Sequence, residues 1–274
     1  MMFDEGRALK KMKLAVENIT IEIDKKIILN GVTHAFAEGR RTSIIGANGA
    51  GKSTLLKALC LLNEKFNGSI TLDGRDVRSI GRRTLAQSIA ILPQERDAPV
   101  DTTVRQLTSY GRFPHQKLFS GGNPKQDREA IAWAMSVTNV EHLANRQVST
   151  LSGGERQRAW LAMSLAQQPK ILLLDEPTTY LDISHQLEVM EIIADVNRRY
   201  NMTVIMVLHD INHAVEFSDE VIVINGGGIF ARGAPSTVLN PTLIREVFNV
   251  DAEIFSNAPG DKILGCKLRR SETH

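Results

Sequence analysis

Thr42-Ser43-Ile44-Ile45-Gly46-Ala47-Asn48-Gly49-Ala50-Gly51-Lys52-Ser53-Thr54 is the stretch on which the fold turns. It opens as a short apolar run, the pattern of a parallel strand buried on both faces, and then gives way to glycines. Leu55, Leu59 and Leu62 follow at helical spacing. Residues 46–54 match G-x-x-x-x-G-K-[ST] between a predicted strand and a predicted helix, the context such a loop requires. Glycine lets backbone N–H groups curl around phosphate oxygens, and the following helix presents its positive end to them. In that geometry Lys52 reaches the β- and γ-phosphates and the Ser53 hydroxyl ligates Mg²⁺. A glycine-rich turn that only joins strand to helix has no need of all these fixed positions.

Working outward, Leu14, Val16, Ile19, Ile21 and Ile23 alternate with polar residues, the period-two signature of a half-buried strand. Ser69 to Leu72 alternates again and ends in the turn pair Asp73-Gly74, so the two segments predict a small antiparallel sheet. Ile171 to Leu174 and Val204 to Leu208 repeat the continuous apolar pattern, and Leu187, Met190, Ile193 and Ala194 between them fall at helical spacing. The prediction is an α/β protein with two sheets. Thr103 to Val148 has helical spacing and no convincing strand, which predicts a helical subdomain inserted over about 95–150. Asn240-Pro241 reads as a helix N-cap followed by proline at the first helical position. The expected organisation is a flexible leader at 1–12, a main domain at 13–235 and a C-terminal appendage at 236–274. Met12 is a candidate alternative start, and Arg269 to His274 reads as disordered.

The apolar run at Ile171 ends in Asp175-Glu176. Two acids after a strand, taken alone, suit a solvated loop. Downstream of a phosphate loop they read as a magnesium ligand, Asp175, and a general base that polarises water, Glu176. Leu151-Ser152-Gly153-Gly154-Glu155-Arg156-Gln157-Arg158 contains a capping box, Ser152 to Glu155, which starts a helix through Trp160.

The bulk numbers exclude several classes. A formal charge of +2, from 33 basic and 31 acidic residues, supplies no global field for nucleic acid or a lipid surface. Cys60 and Cys266 lack metal-type spacing and suit a reducing compartment. The apolar runs fall far short of the roughly 20 residues of a membrane helix. Met1 to Lys11 lacks the apolar segment of a signal peptide.

With the phosphate loop, Leu151 to Arg158 and the acidic strand in this order, the chain resembles the ABC ATPases, whose Leu-Ser-Gly-Gly-Gln signature is here Leu-Ser-Gly-Gly-Glu. The resemblance runs from about Leu14 to Pro235. It implies a P-loop NTPase (RecA-like) core with an antiparallel β subdomain and an inserted helical subdomain, using ATP and Mg²⁺. It implies further that Gln94 is the Q-loop residue, reaching the metal, that Asp182 belongs to the D-loop, and that His209 is the switch histidine. In that family two copies form a head-to-tail homodimer, and Ser152, Gly153 and Gly154 of one copy meet the γ-phosphate held by the other. An aromatic residue usually stacks on adenine. By position the resemblance puts its place here at Ile23 or a neighbour, and Leu14 through Ala35 contains no phenylalanine or tyrosine.

Thr103 to Leu107, Tyr110-Gly111-Arg112-Phe113-Pro114-His115, Glu155 to Trp160 and Thr179 to Gln186 are similar to segments of the iron-siderophore, haem and cobalamin importer ATPases. Tyr110 to His115, taken alone, reads as a plain loop. The resemblance implies a peripheral subunit on the cytoplasmic face of the membrane, bound to integral membrane permease subunits. A periplasmic or lipoprotein substrate-binding protein is expected in the wider complex, and no nucleic acid. Chromosome and repair ATPases insert long coiled coils, for which the interval from Gln94 to Leu151 is too short. Translation factors carry two cassettes, and GTPases an Asn-Lys-x-Asp motif that this chain lacks.

Overall fold

A computed structural model describes residues 12–94, 97–116, 123–255 and 263–268. The expected leader, apart from Met12, and the expected disorder at Arg269 to His274 lie outside these residues. A four-stranded antiparallel sheet has the order β2-β1-β4-β5, formed by β1 (Leu14–Ile23), β2 (Lys26–Phe36), β4 (Asn67–Leu72) and β5 (Arg75–Asp76). A six-stranded sheet has the order β10-β9-β3-β8-β7-β6. Its strands are β3 (Arg41–Ile45), β6 (Ile89–Leu92), β7 (Ile171–Asp175), β8 (Thr203–Val207), β9 (Glu220–Asn225) and β10 (Gly228–Gly233). All are parallel except β10, which returns antiparallel along β9. The α/β architecture is the one expected. In β1, Asn18 adopts a left-handed φ of 51° and the register shifts there, which explains the phase slip between Val16 and Ile19.

The large sheet is buried on both faces, so its strands are apolar throughout. Ile171 and Leu173 face a core shared with β1 and with α1 (Lys52–Leu59), whereas Leu172 and Leu174 face the opposite core. Val204 and Met206 alternate with Ile205 and Val207 in the same way. The opposite core is built by α3 (Val104–Tyr110), α4 (Pro124–Val137), α5 (Gly153–Ala166) and α6 (Ile183–Tyr200). Helix α1 stops three residues short of Leu62. Leu61 turns left-handed at φ 58° and leaves Leu62 exposed, so the helical spacing at Leu62 was accidental. The remaining helices are α2 (Arg82–Ser88), α7 (Ile211–Phe217), α8 (Pro235–Val238) and α9 (Pro241–Phe248). Asn240 caps α9 by accepting the Leu243 N–H, and Leu243, Ile244 and Val247 are buried in the helix-side core. The chain closes with β11 (Val250–Phe255) paired to β12 (Ile263–Leu268). No helix of the described residues is long and apolar enough to cross a membrane.

Tyr110 to His115 is a clasp on the end of α5. The buried Arg112 donates to the Ala166 carbonyl at 2.7 Å and to Asp127 at 2.8 Å, and His115 Nε2 lies 2.8 Å from the Gln167 carbonyl. Carbonyls at a helix C-terminus lack intrahelical donors, and these two side chains supply them. Gly111 is required because a Cβ there would lie 2.0 Å from the Met163 carbonyl oxygen. Gln87 and Arg83 of α2 both donate to the Pro114 carbonyl, tying the clasp to that helix.

His34 joins the two sheets. It is buried on β2, accepts from Arg232 of β10 at Nδ1 (3.3 Å), and points Nε2 at Glu220 of β9 (3.5 Å). Burial, and then the Arg232 charge, push its pKa from 6.5 down to about 4. The folded state therefore holds His34 neutral while the unfolded chain binds a proton near 6.5. The contribution to stability is complete above pH 6.5 and declines as pH falls toward 4. Urea titration at pH 7.5 and pH 5 should show a loss of about 2 kcal/mol in the parent from this group, absent in His34→Gln.

Candidate functional site

Four parallel strands deliver the candidate residues to one edge of the sheet. The loop 46–51 follows β3, Gln94 follows β6, Asp175 ends β7 with Glu176 next in the chain, and His209 follows β8. Ligands bind at this carboxyl edge in open α/β sheets because the loops diverge there. Gly51 caps α1 with φ 100°, and a Cβ would come within 2.6 Å of Leu29, so the loop admits only glycine at this point. The loop borders a cleft of about 660 Å³ lined also by Ile23, Ile28, Gln94, Glu176, Thr179, Tyr180 and His209.

Within the cleft the Lys52 ammonium is folded onto its own loop, donating to the carbonyls of Gly46 at 2.9 Å and Ala47 at 3.0 Å. Burial lowers its pKa, against the opposing pull of Glu176 and Asp175. An incoming phosphate offers this ammonium a charged acceptor in place of two neutral ones. Asp175 is fully buried. Its Oδ1 accepts the Ser53 hydroxyl at 2.7 Å, its Oδ2 has no hydrogen-bond partner among the described residues, and burial raises its pKa. A buried, half-satisfied carboxylate beside a hydroxyl is a hard oxygen donor set that fits Mg²⁺.

Glu176 adopts a left-handed φ of 53°, a strained conformation for this residue that turns its side chain out of the strand direction. Three side chains from three loops hold its carboxylate. Oε2 accepts from Gln94 at 2.6 Å and from Thr179 at 3.1 Å, and Oε1 lies 2.5 Å from His209 Nε2. Gln94 therefore faces Glu176 and not the Ser53–Asp175 pair.

Ser152 caps α5 in a complete capping box: its Oγ accepts from the Glu155 N–H, and Glu155 Oε2 accepts from the Ser152 N–H at 2.8 Å. Glu155 serves this purpose as glutamine would, which accounts for the departure from the usual signature. Gly153 borders a second cleft, of about 400 Å³, that shares Gln94, Glu176, Thr179 and Tyr180 with the first. The structure thus brings together Lys52, Ser53, Gln94, Asp175, Glu176 and His209. It does not bring Ser152, Gly153, Gly154 or Asp182 to the phosphate loop of the same chain. Sequence reasoning assigned no role to Thr179, whose only signal was a hydroxyl three residues after an acid, or to Ile28, hidden among alternating strand residues.

Residues 29–179, more than half of the chain, match the family model described as ABC transporter. The chain belongs to the ABC transporter family. This cassette is similar to the petrobactin import ATP-binding protein FpuC of Bacillus anthracis, at 46% identity over 220 residues and 80% of each chain. It is similar to the iron(3+)-hydroxamate import ATP-binding protein FhuC of Bacillus subtilis, at 40% identity over 91% of this chain and 92% of that one. Among solved structures it resembles a transporter described as metal-chelate type, in an inward-facing conformation. The TM-score is 0.80 at 26% identity, covering 94% of this chain and 97% of that one.

The cassette's cleft has an aliphatic wall, Ile23 and Ile28, and Tyr180 lines the cleft beside Thr179 and Glu176. An aromatic stack on a base is worth about 1–3 kcal/mol, and an aliphatic face keeps part of that. Ile23→Tyr should therefore tighten nucleotide binding, with the ring stacking on adenine and guanine alike, so that the ATP-to-GTP ratio read by competition binding stays below about tenfold in both chains.

Proposed function

We propose that this chain is the ATP-hydrolysing subunit of an importer of iron(III)-siderophore complexes, working in pairs on the cytoplasmic face of a membrane-spanning permease. The observation that carries the motor reading is the convergence of Lys52, Ser53, Asp175, Glu176, Gln94 and His209 on one sheet edge. The substrate class rests on the petrobactin and iron-hydroxamate relatives and on Tyr110 to His115. A periplasmic or lipoprotein binding protein delivers the chelate to the permease, and nucleic acid plays no part.

The N–H groups of residues 46–54 and Lys52 take the phosphates, with Lys52 exchanging the Gly46 and Ala47 carbonyls for phosphate oxygens. Ser53, Asp175 and, once it leaves Glu176, Gln94 would hold Mg²⁺, which would supply charge neutralisation at the phosphates. Glu176 accepts a proton from the attacking water once its carboxylate is released by Gln94 and His209. Ser152, Gly153 and Gly154 of a second copy meet the γ-phosphate, and Asp182 lies in the same interface. The exposed Tyr180 and Ile183, at 94% and 76%, favour such a partner surface.

Lys52→Ala should abolish Mg²⁺-dependent ATPase activity. Glu176→Gln should keep ATP binding while turnover falls about 100-fold or more, and should form an ATP-dependent dimer measurable by light scattering. Near-normal turnover in Glu176→Gln refutes the assignment of the base. For the cargo, a strain lacking this gene should fail to grow on a ferric siderophore as iron source while growing on abundant free iron. Loss of haem or cobalamin uptake alone would reassign the cargo and leave the motor reading intact.

A further inference from the structure

The signature turn and the loop ending at Asp182, which the proposed mechanism sends across to a second copy, touch each other within one chain. At Gly153 the contact is ordinary, since an added Cβ would lie 3.6 Å from Leu181 Cδ2. At Gly154 it is closed: a Cβ would stand 2.0 Å from Cδ2 and 2.5 Å from Cγ of His185. The imidazole therefore rests on the bare backbone of the signature helix. Its other side is tied to the neighbouring loop, with Nδ1 2.7 Å from Asp182 Oδ1. The same oxygen accepts the His185 N–H at 2.9 Å, capping α6. An ionised carboxylate only accepts, so Nδ1 carries the proton.

We infer that His185 is a positioning residue that fastens the signature turn to the Asp182 loop, so that both meet the second copy as one body. The inference rests on the ATPase reading. It gives Gly154 a second requirement beside any phosphate contact, because only glycine leaves room for the ring. Without the ring, the first turns of α5 and α6 are free to shift relative to one another, and Asp182 keeps only its backbone donors. None of these groups lines the cleft at the phosphate loop of the same chain, so binding of ATP by a single subunit does not depend on them.

The test uses the full chain carrying His185→Ala, His185→Asn or His185→Phe. Asparagine keeps a donor to Asp182, and phenylalanine keeps the ring without one. In the Glu176→Gln background, ATP affinity of the single subunit should stay within about twofold, while the dissociation constant of the ATP-dependent dimer rises about tenfold for Ala and Phe and stays within about threefold for Asn. In the Glu176 chain, kcat should fall about tenfold for Ala with KM for ATP nearly constant, and Asn should restore it. Dimerisation and kcat of Ala within about twofold of an active parent overturn the inference alone, as does an Asn variant as defective as Ala. Should Ala fail to fold, equal behaviour of Asn and Phe overturns it, and retention by Asn only supports it. A parent that binds no ATP overturns the ATPase reading and this inference together.

Discussion

Burial of the large sheet on both faces forces its polar chemistry to the carboxyl edge. Ile171 to Leu174 have no exposed surface, and the next residue, Asp175, is equally buried but charged. A carboxylate in that position is tolerable only with partners, and among the described residues its one hydrogen bond, to Ser53, leaves the second oxygen open to a cation. The site is thus prepared at the expense of local stability, as strained and under-satisfied groups at functional sites usually are. One residue further on, the left-handed turn at Glu176 releases the chain from the sheet and aims a second carboxylate into the cleft.

Both oxygens of Glu176 are occupied, so its proton-accepting role is linked to whatever its partners do next. Gln94 is followed by the segment that leads to α3 and the helical insert, and His209 by α7. Asn212 of α7 in turn exchanges two hydrogen bonds with the backbone of Leu264 in β12. The partners of one carboxylate thus stand at the root of the helical side and of the helix that holds the C-terminal hairpin. On the helical side Arg112 and His115 fix the C-terminal end of the helix that Ser152 caps at its other end.

Residues whose chemistry needs a given type at a given spacing were legible in the sequence. Gly51, Lys52 and Ser53 announce themselves, and Asp175-Glu176 does so once the loop is known. The alternating and continuous apolar runs likewise revealed two sheets of different kind, since period and burial are both written in the residues. What escaped was long-range pairing. Arg112 looks like a loop residue until the end of α5 is seen beside it, and Leu62 extends a helical pattern that the backbone abandons at Leu61. Thr179 and His185 act through neighbours that only the tertiary packing supplies.

The acid at position 155 poses an electrostatic problem that its geometry resolves. A negative charge in the first turn of α5 is favoured by the helix dipole, yet it competes with any phosphate drawn to the same end. Glu155 turns its carboxylate back onto the Ser152 N–H, which lowers its pKa, with Arg146 3.9 Å away. Its charge is thereby spent on one donor of the turn. The N–H groups of Gly153 and Gly154 have no intrahelical acceptor by virtue of their position, and the capping box uses the Ser152 oxygen as acceptor without using its hydrogen. Donors at this helix end therefore remain without an intrahelical acceptor, while the helix's own anion is already paired.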